Sequence, residues 1–433
     1  MTAVVNRRQF LAMTVWSSVL ARASTRPVAR NRPSKAPLAR FFFTTQGKTA
    51  MMNADGSGLR YFEFDEPNQV TWQPAGFFSD GHRVLFLSME ARRDGPGRPF
   101  AEYYHKTPTH IWIHDLDSGS LSEIATQNRM APFYTPQILI KDERILMQVV
   151  RNKVAQTISM NLDGSDPREF TRAGEGMPYG MNLSPDGTRV AYHLASPQGY
   201  QIWTSSIDGG DRTFVAGHPD HLYFCPAWSP DGQWLAFQDC QFRQDPGHDW
   251  SDLVLCRPDG SEQRLLTQNQ SLWFGATYGY PGNRSGGSNV PTWTREGKIL
   301  CSHRLPGSKV AWEYQTNRPD VDHFNRDYKP ELARGGTEIR RIDPRDGSVT
   351  KITHSNPPTW DFRQSESSDG KLIVFCRANT GQSPAIWVAD SEGQNPRMLT
   401  KGLNDRGADH PRWVPLSTAE KGQGASCRIN NDG

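Results

Sequence analysis

The chain has 433 residues, 36% of them hydrophobic, 22% charged and 10% aromatic, which suits a globular, strand-rich protein with an ample core. No apolar run reaches about 18 residues, which excludes a transmembrane helix in a mature form. The net charge of +3 misleads: residues 1–40 carry eight basic and no acidic side chains, leaving 41 basic against 46 acidic, a net of −5, over residues 41–433, and such a body lacks the basic footprint of a nucleic-acid binder.

In chain order, the first feature is a targeting segment. Asn6-Arg7-Arg8-Gln9-Phe10-Leu11 resembles the twin-arginine export signal, an apolar run extends from Phe10 to Leu20, and Ala21-Arg22-Ala23 supplies a small-x-small cleavage pattern. Residues 1–23 are therefore expected to be a signal peptide, 24–39 a flexible linker and 417–433 a disordered tail, with export to the periplasm or medium. The six cysteines, Cys225, Cys240, Cys256, Cys301, Cys376 and Cys427, show no CxxC zinc spacing and are expected to be mostly buried thiols.

From Arg40 to Leu416 two signals alternate. One is a strand, a tight turn and a second strand, with turns at Ser79-Asp80-Gly81, Lys141-Asp142-Glu143, Ser184-Pro185-Asp186-Gly187, Ser229-Pro230-Asp231-Gly232, Thr294-Arg295-Glu296-Gly297 and Ser368-Asp369-Gly370. The other is a strand pair joined at Asp55-Gly56, Asp117-Ser118-Gly119, Asp163-Gly164, Asp208-Gly209, Asp259-Gly260, Asp346-Gly347 and Asp390-Ser391-Glu392-Gly393. Period-2 apolar strands around such turns are hairpins, and two hairpins make a four-stranded blade. His410-Pro411-Arg412-Trp413-Val414-Pro415 reads as a lone first strand, and Arg40-Phe41-Phe42-Phe43-Thr44 is the strand that would complete its blade. The expectation is an all-β, seven-bladed β-propeller of four-stranded antiparallel blades, closed by N- and C-terminal strands in one blade over residues 40–416. Six or eight blades remain open alternatives. These repeats resemble the WD40-like propeller repeats of TolB proteins over nearly the whole chain after residue 40, which implies the fold and says little about activity.

Strand alternation puts the short turns on one face and the long connections near 88–110, 239–252, 267–290, 304–336, 353–363 and 400–410 on the other. Long irregular connections are usually functional or disordered. Ten of the twelve histidines fall on or beside that face: His105, His110, His193, His218, His221, His248, His303, His323, His354 and His410. Six residues beyond the turn glycines Gly187, Gly232, Gly297 and Gly370 stand His193, Gln238, His303 and Cys376, expected at matching places that either line the central well or bond neighbouring blades. Arg304, Trp312, His323 and Arg334, together with Tyr278, Tyr280 and Trp360, supply the aromatic faces and guanidinium forks that suit an acidic sugar.

No nucleotide loop and no Gly-x-Ser-x-Gly elbow occurs. Two functions fit: a scaffold engaging a periplasmic protein, and a protein that binds or cleaves an acidic oligo- or polysaccharide. β-Elimination needs a base and a cation for the developing charge, for which His221, His248, Arg363 and Arg412 are the candidates. The chain is distantly similar to oligogalacturonate lyases, in which a propeller carries a histidine base and a manganese held by histidine and glutamine. That resemblance implies a divalent metal, Mn or Zn, with His303, His354, His410 and Gln238 as its ligands here. His410-Pro411 is similar to that family's metal-binding His-Pro-His, but Arg412 stands where the second histidine would be. Thr359-Trp360-Asp361-Phe362-Arg363 only approximates its His-Glu-Phe-Trp segment.

Overall fold

The first strands of successive four-strand units lie against one another, and the side chains buried between units make the core. The structure, a computed structural model, describes residues 39–45, 48–91, 109–126, 131–132, 138–141, 143–151, 154–196, 199–219, 221–240, 250–276, 286–314, 326–401, 403 and 407–416. The expected export segment, nearly all of the linker, the C-terminal tail, and His105, His248, His323, Tyr278 and Tyr280 lie outside these residues. Among the described residues the one helical element is the short 3-10 turn Pro330–Leu332, and no helix is long and apolar enough to cross a membrane.

The hairpins expected from sequence are antiparallel pairs. Met177–Leu183, Arg189–Ser196, Gly199–Ser206 and Thr213–Ala216 pair in that order, and so do Leu222–Trp228, Leu235–Cys240, Asp252–Cys256 and Arg264–Leu265. Thr359–Glu366, Leu372–Asn379, Ala385–Asp390 and Arg397–Met398 repeat the pattern. Thr292–Trp293, Ile299–Arg304, Thr337–Ile342 and Val349–Lys351 do so with a much shortened first strand. Ala408–Trp413 pairs with Arg40–Thr45, which continues into Lys48–Asn53 and Arg60–Phe62, so the first and last described strands share one sheet. Two small hairpins stand beside these units, Phe274–Ala276 with Gly286–Ser288 and Trp312–Tyr314 with Arg326–Tyr328.

Leu222–Trp228, Leu235–Cys240 and Asp252–Cys256 are buried along their whole length, and alternate side chains enter opposite clusters, Leu235 and Phe237 one and Ala236 the other. Ala191, Ile202 and Val215 of one unit are buried against Trp228, Leu235, Phe237 and Val254 of the next. Fourth strands such as Arg168–Glu169 and Arg397–Met398 are short, charged or exposed, which discourages edge pairing. The Asp-Gly turns do more than reverse the chain. At Gly209 (φ +84°) a Cβ would come within 2.6 Å of the Phe170 carbonyl oxygen of the preceding unit, and at Gly260 (φ +86°) within 2.6 Å of that of Val215. Glycine is needed there both for its left-handed φ and for the close approach between units.

Candidate functional site

The first strands share a two-against-one β-bulge. Register shifts fall between Tyr179 and Asn182, between Phe224 and Ala227, and between Phe362 and Ser365, and a matching shift separates Asp409 from Arg412 opposite Thr44 and Phe42. At each one a residue adopts left-handed φ: Gly180 (+57°), Cys225 (+55°), Arg363 (+52°) and His410 (+56°). The residue opposite is Tyr192, Phe237, Phe375 or Phe43, all essentially buried. Left-handed φ at a non-glycine residue costs about 1–2 kcal/mol, and bulges gather beside active sites because they re-aim side chains. Among the described residues, the strained positions Arg363 and His410 stand next to each other.

Indole groups of three first strands join the units, two of them, Trp228 and Trp413, three residues beyond a left-handed bulge residue. Trp228 donates its Nε1–H to the Asn182 carbonyl at 3.1 Å, Trp293 to Ala227 at 2.9 Å and Trp413 to Ser365 at 3.1 Å. A cavity of about 360 Å³ opens here, lined by Gly180–Asn182, Cys225–Trp228 and Val290–Trp293.

Three of the four register residues bond neighbouring units. His193 accepts the Cys225 N–H at Nδ1 (3.4 Å). Gln238 donates Nε2–H to the Asn289 carbonyl (2.7 Å). Cys376 donates its thiol to Asp409 Oδ1 (3.2 Å). His303 breaks the series. The Thr294–Lys298 turn is one residue shorter than Ser184–Arg189, so Thr292 faces Leu300 and the matching place falls on Ser302. Ser302 is fully buried and donates to the Asp361 carbonyl at 2.5 Å. A one-residue slip turns a side chain to the other face, and His303 accordingly meets Arg340.

The densest polar cluster joins Asn289, Arg363, Cys376, Asp409 and His410. The Arg363 N–H donates to Asn289 Oδ1 at 2.6 Å, and the Asn289 Nδ2 donates to the Leu272 carbonyl at 2.7 Å. The Arg363 guanidinium pairs with Asp409 Oδ2 and lies 3.4 Å from His410 Nδ1. Asp409 Oδ1 also accepts the His410 N–H at 2.7 Å. Burial alone would raise the Asp409 carboxyl, but the Arg363 guanidinium and His410 outweigh it and hold it well below the usual carboxylate range. Burial, followed by the charge of Arg363, lowers His410 to about 4. The ring is thus neutral at pH 7. Its Nδ1 lies 3.4 Å from Arg363 Nη1 and 3.6 Å from Asp409 Oδ2. Arg412, two residues on, donates Nη1–H to the Pro74 carbonyl at 3.0 Å and lies 5.4 Å above the Phe77 ring. Among the described residues no carboxylate is within ion-pair distance of it.

The remaining candidates stand apart in their contacts. His221 Nδ1 lies 2.7 and 3.0 Å from the two oxygens of buried Asp239, with the His218 ring 4.6 Å away and tilted by 59°. Trp360 is fully buried, 6.1 Å from Trp250 in a parallel stack, with its Nε1–H on Thr380. Arg304 lies 5.0 Å over Trp250. Arg334 pairs its backbone with Lys309 and is exposed, as is His354. Trp312 lies in its short hairpin. Asp239, Asn289, Ser302 and Asp409 were not singled out from sequence. The one signal available for Asp409 was its place beside His410.

The metal set named from sequence does not fit. His303 Nδ1 lies 3.0 Å from the Arg304 carbonyl and so carries the proton, while Nε2 accepts from Arg340 at 3.3 Å. Burial and the Arg340 charge lower this ring to about 4. Both of its nitrogens are engaged, and His410 Nδ1 faces the Arg363–Asp409 pair. Gln238 Nε2 is tied to Asn289. Among the described residues no three His, Cys, Asp or Glu side chains are grouped to hold a metal ion.

No family model matches the chain. A putative TolB from Agrobacterium tumefaciens aligns over 88% of this chain and all of its own, at 14% identity and a TM-score of 0.41. An oligogalacturonate lyase in complex with manganese aligns over 84% of this chain and 85% of its own, at 14% identity and 0.49. A puromycin hydrolase variant aligns over 81% of this chain and 49% of its own, at 13% identity and 0.50. The fold is propeller-like. At these identities the likenesses carry no activity, and the one at a TM-score of 0.50 bears on the fold alone. The similarity to TolB and oligogalacturonate lyase propellers expected from the repeats is found in the solved structures.

Proposed function

We propose that this chain is an exported seven-bladed propeller, closed by the Ala408–Trp413 and Arg40–Thr45 strands, that binds an acidic oligosaccharide at the loop end of its inner strands. The observation that carries the reading is the junction of Arg363 and His410, two polar residues held in left-handed backbone at matching bulges of adjacent blades. Strain of this kind persists where surrounding structure over-determines it, and it clusters at ligand sites. Chemically the junction sets the partly exposed His410 imidazole beside the buried Arg363–Asp409 pair, and an imidazole hydrogen-bonds carboxylates and sugar hydroxyls. Binding is favoured over metal-assisted elimination because both ring nitrogens of His303 are engaged.

The test is calorimetric titration of the purified full chain with trigalacturonate and, as a neutral control, maltotriose, with ultraviolet absorbance followed for an unsaturated product. Saturable binding of the acidic trisaccharide alone, without product, is expected. Absence of binding to any acidic oligosaccharide refutes the reading in favour of a TolB-like protein scaffold, and product formation replaces binding with lyase activity.

A further inference from the structure

The cavity bounded by Gly180–Asn182, Cys225–Trp228 and Val290–Trp293 has had no role so far, and none of Arg363, Asp409 and His410 lines it. Its volume of about 360 Å³ falls within the roughly 300–1,000 Å³ typical of small-molecule sites, which are mostly apolar with a few polar groups. No lining residue is an acid, a base or a histidine. Two of the walls are indoles, Trp228 and Trp293, each fixed by its Nε1–H on a carbonyl of the preceding unit. Indoles gain from an aromatic ring or a guanidinium set against them. Every other indole whose side chain is described has such a partner, as Trp203 has Phe214, Trp234 has Arg257, Trp273 has Phe224 and the third stapling indole, Trp413, has Phe41. Among the described residues Trp228 and Trp293 meet neither, and these two line the cavity.

Polar capacity in the cavity is small. Asn182 Oδ1 already accepts the Trp228 backbone N–H at 2.9 Å, and Thr292 donates its hydroxyl to the Gln364 carbonyl at 3.1 Å. The Asn182 Nδ2 is left as a donor. A sugar brings several hydroxyls, each costly to bury without a partner, and a carboxylate would meet no cation here. A flat ring asks only for apolar walls. We infer that this cavity is a binding site for an uncharged, planar aromatic compound, held against Trp228 and Trp293 with one acceptor on Asn182 Nδ2. The site is separate from the proposed acidic-sugar site and does not rest on it.

The experiment is calorimetric titration at pH 7 of the full chain with 2-naphthol, its saturated counterpart 2-decalol and the charged 2-naphthoate, and of Trp228→Leu and Trp293→Leu with 2-naphthol. An aromatic pair adds about 0.5–1.5 kcal/mol beyond area burial, roughly 2- to 10-fold in affinity for each indole. Wild type is expected to bind one equivalent of 2-naphthol, and 2-decalol and 2-naphthoate more weakly, with each leucine variant losing at least that factor for 2-naphthol. No saturable binding of 2-naphthol, or equal affinity for 2-decalol or 2-naphthoate, overturns the assignment. So does wild-type affinity for 2-naphthol in either leucine variant. If both variants fail to fold, the three ligands on wild type decide alone. Saturating trigalacturonate is expected to leave 2-naphthol affinity unchanged, and competition between them overturns a separate site. Binding of 2-naphthol without binding of trigalacturonate leaves this site standing and removes the acidic-sugar reading.

Discussion

Replacing Asp409 by asparagine keeps the shape of the side chain and an acceptor for the His410 N–H, but it strands the Arg363 guanidinium. Both partners are buried, with side chains 6% exposed each, so little water can replace the lost carboxylate. Breaking a buried ion pair from one side costs about 3–5 kcal/mol, and we expect Asp409→Asn to lose that much. Removing both charges leaves no orphan, so Arg363→Gln with Asp409→Asn should be less destabilised than Asp409→Asn alone. Guanidinium denaturation with calorimetric confirmation of a single transition measures both. The pH dependence supplies an independent check. The folded Asp409 carboxyl lies below its unfolded value of about 3.9, so its contribution is fully present above that value and is lost as pH falls through the depressed folded value. Wild type should therefore lose more stability than Asp409→Asn on acidification below about pH 4. A loss under about 1 kcal/mol in Asp409→Asn, set against the range expected for a buried pair, would refute this account, as would a double variant as unstable as the sum of the singles.

His303 and His410, both lowered to about 4, must gain protons more readily unfolded than folded. Their share of stability is complete above about pH 6.5 and drains as pH falls towards 4, and His303→Gln should flatten the stability profile across that window. Gln238→Leu leaves the buried Asn289 carbonyl without its donor and should cost about 1–3 kcal/mol, read from denaturation midpoints. Trp293→Phe removes one indole bond between units and part of its packing, and should lower the midpoint by about 1–2 kcal/mol. Deleting residues 408–416 bares the Arg40–Thr45 edge and Phe41 and Phe43, and should convert a monodisperse protein to aggregates in size-exclusion chromatography.

Much of the fold could be read from residue order alone, because hairpin chemistry is local. An Asp-Gly turn between period-2 apolar runs specifies two antiparallel strands wherever it sits, and Asn182–Tyr192 and Ala227–Phe237 needed no distant partner to be recognised. The lone strand at His410 and its complement at Phe41 were also legible, since each lacked half a unit. The candidate site was legible only as residue types. His410, Arg363 and Arg412 stood out as polar groups in apolar strands, but their relation depends on a bulge. Opposing two residues to one, it turns Arg363 and His410 out of alternation and brings Asp409 against Cys376. Nor could counting from Gly297 succeed, because a turn shorter by one residue than its counterparts exchanges the faces of Ser302 and His303. Protonation was decided last of all. Whether an imidazole is a base, a donor or a metal ligand depends on which nitrogen meets a guanidinium or a carbonyl, and those partners come from other strands, brought together only when the sheets assemble.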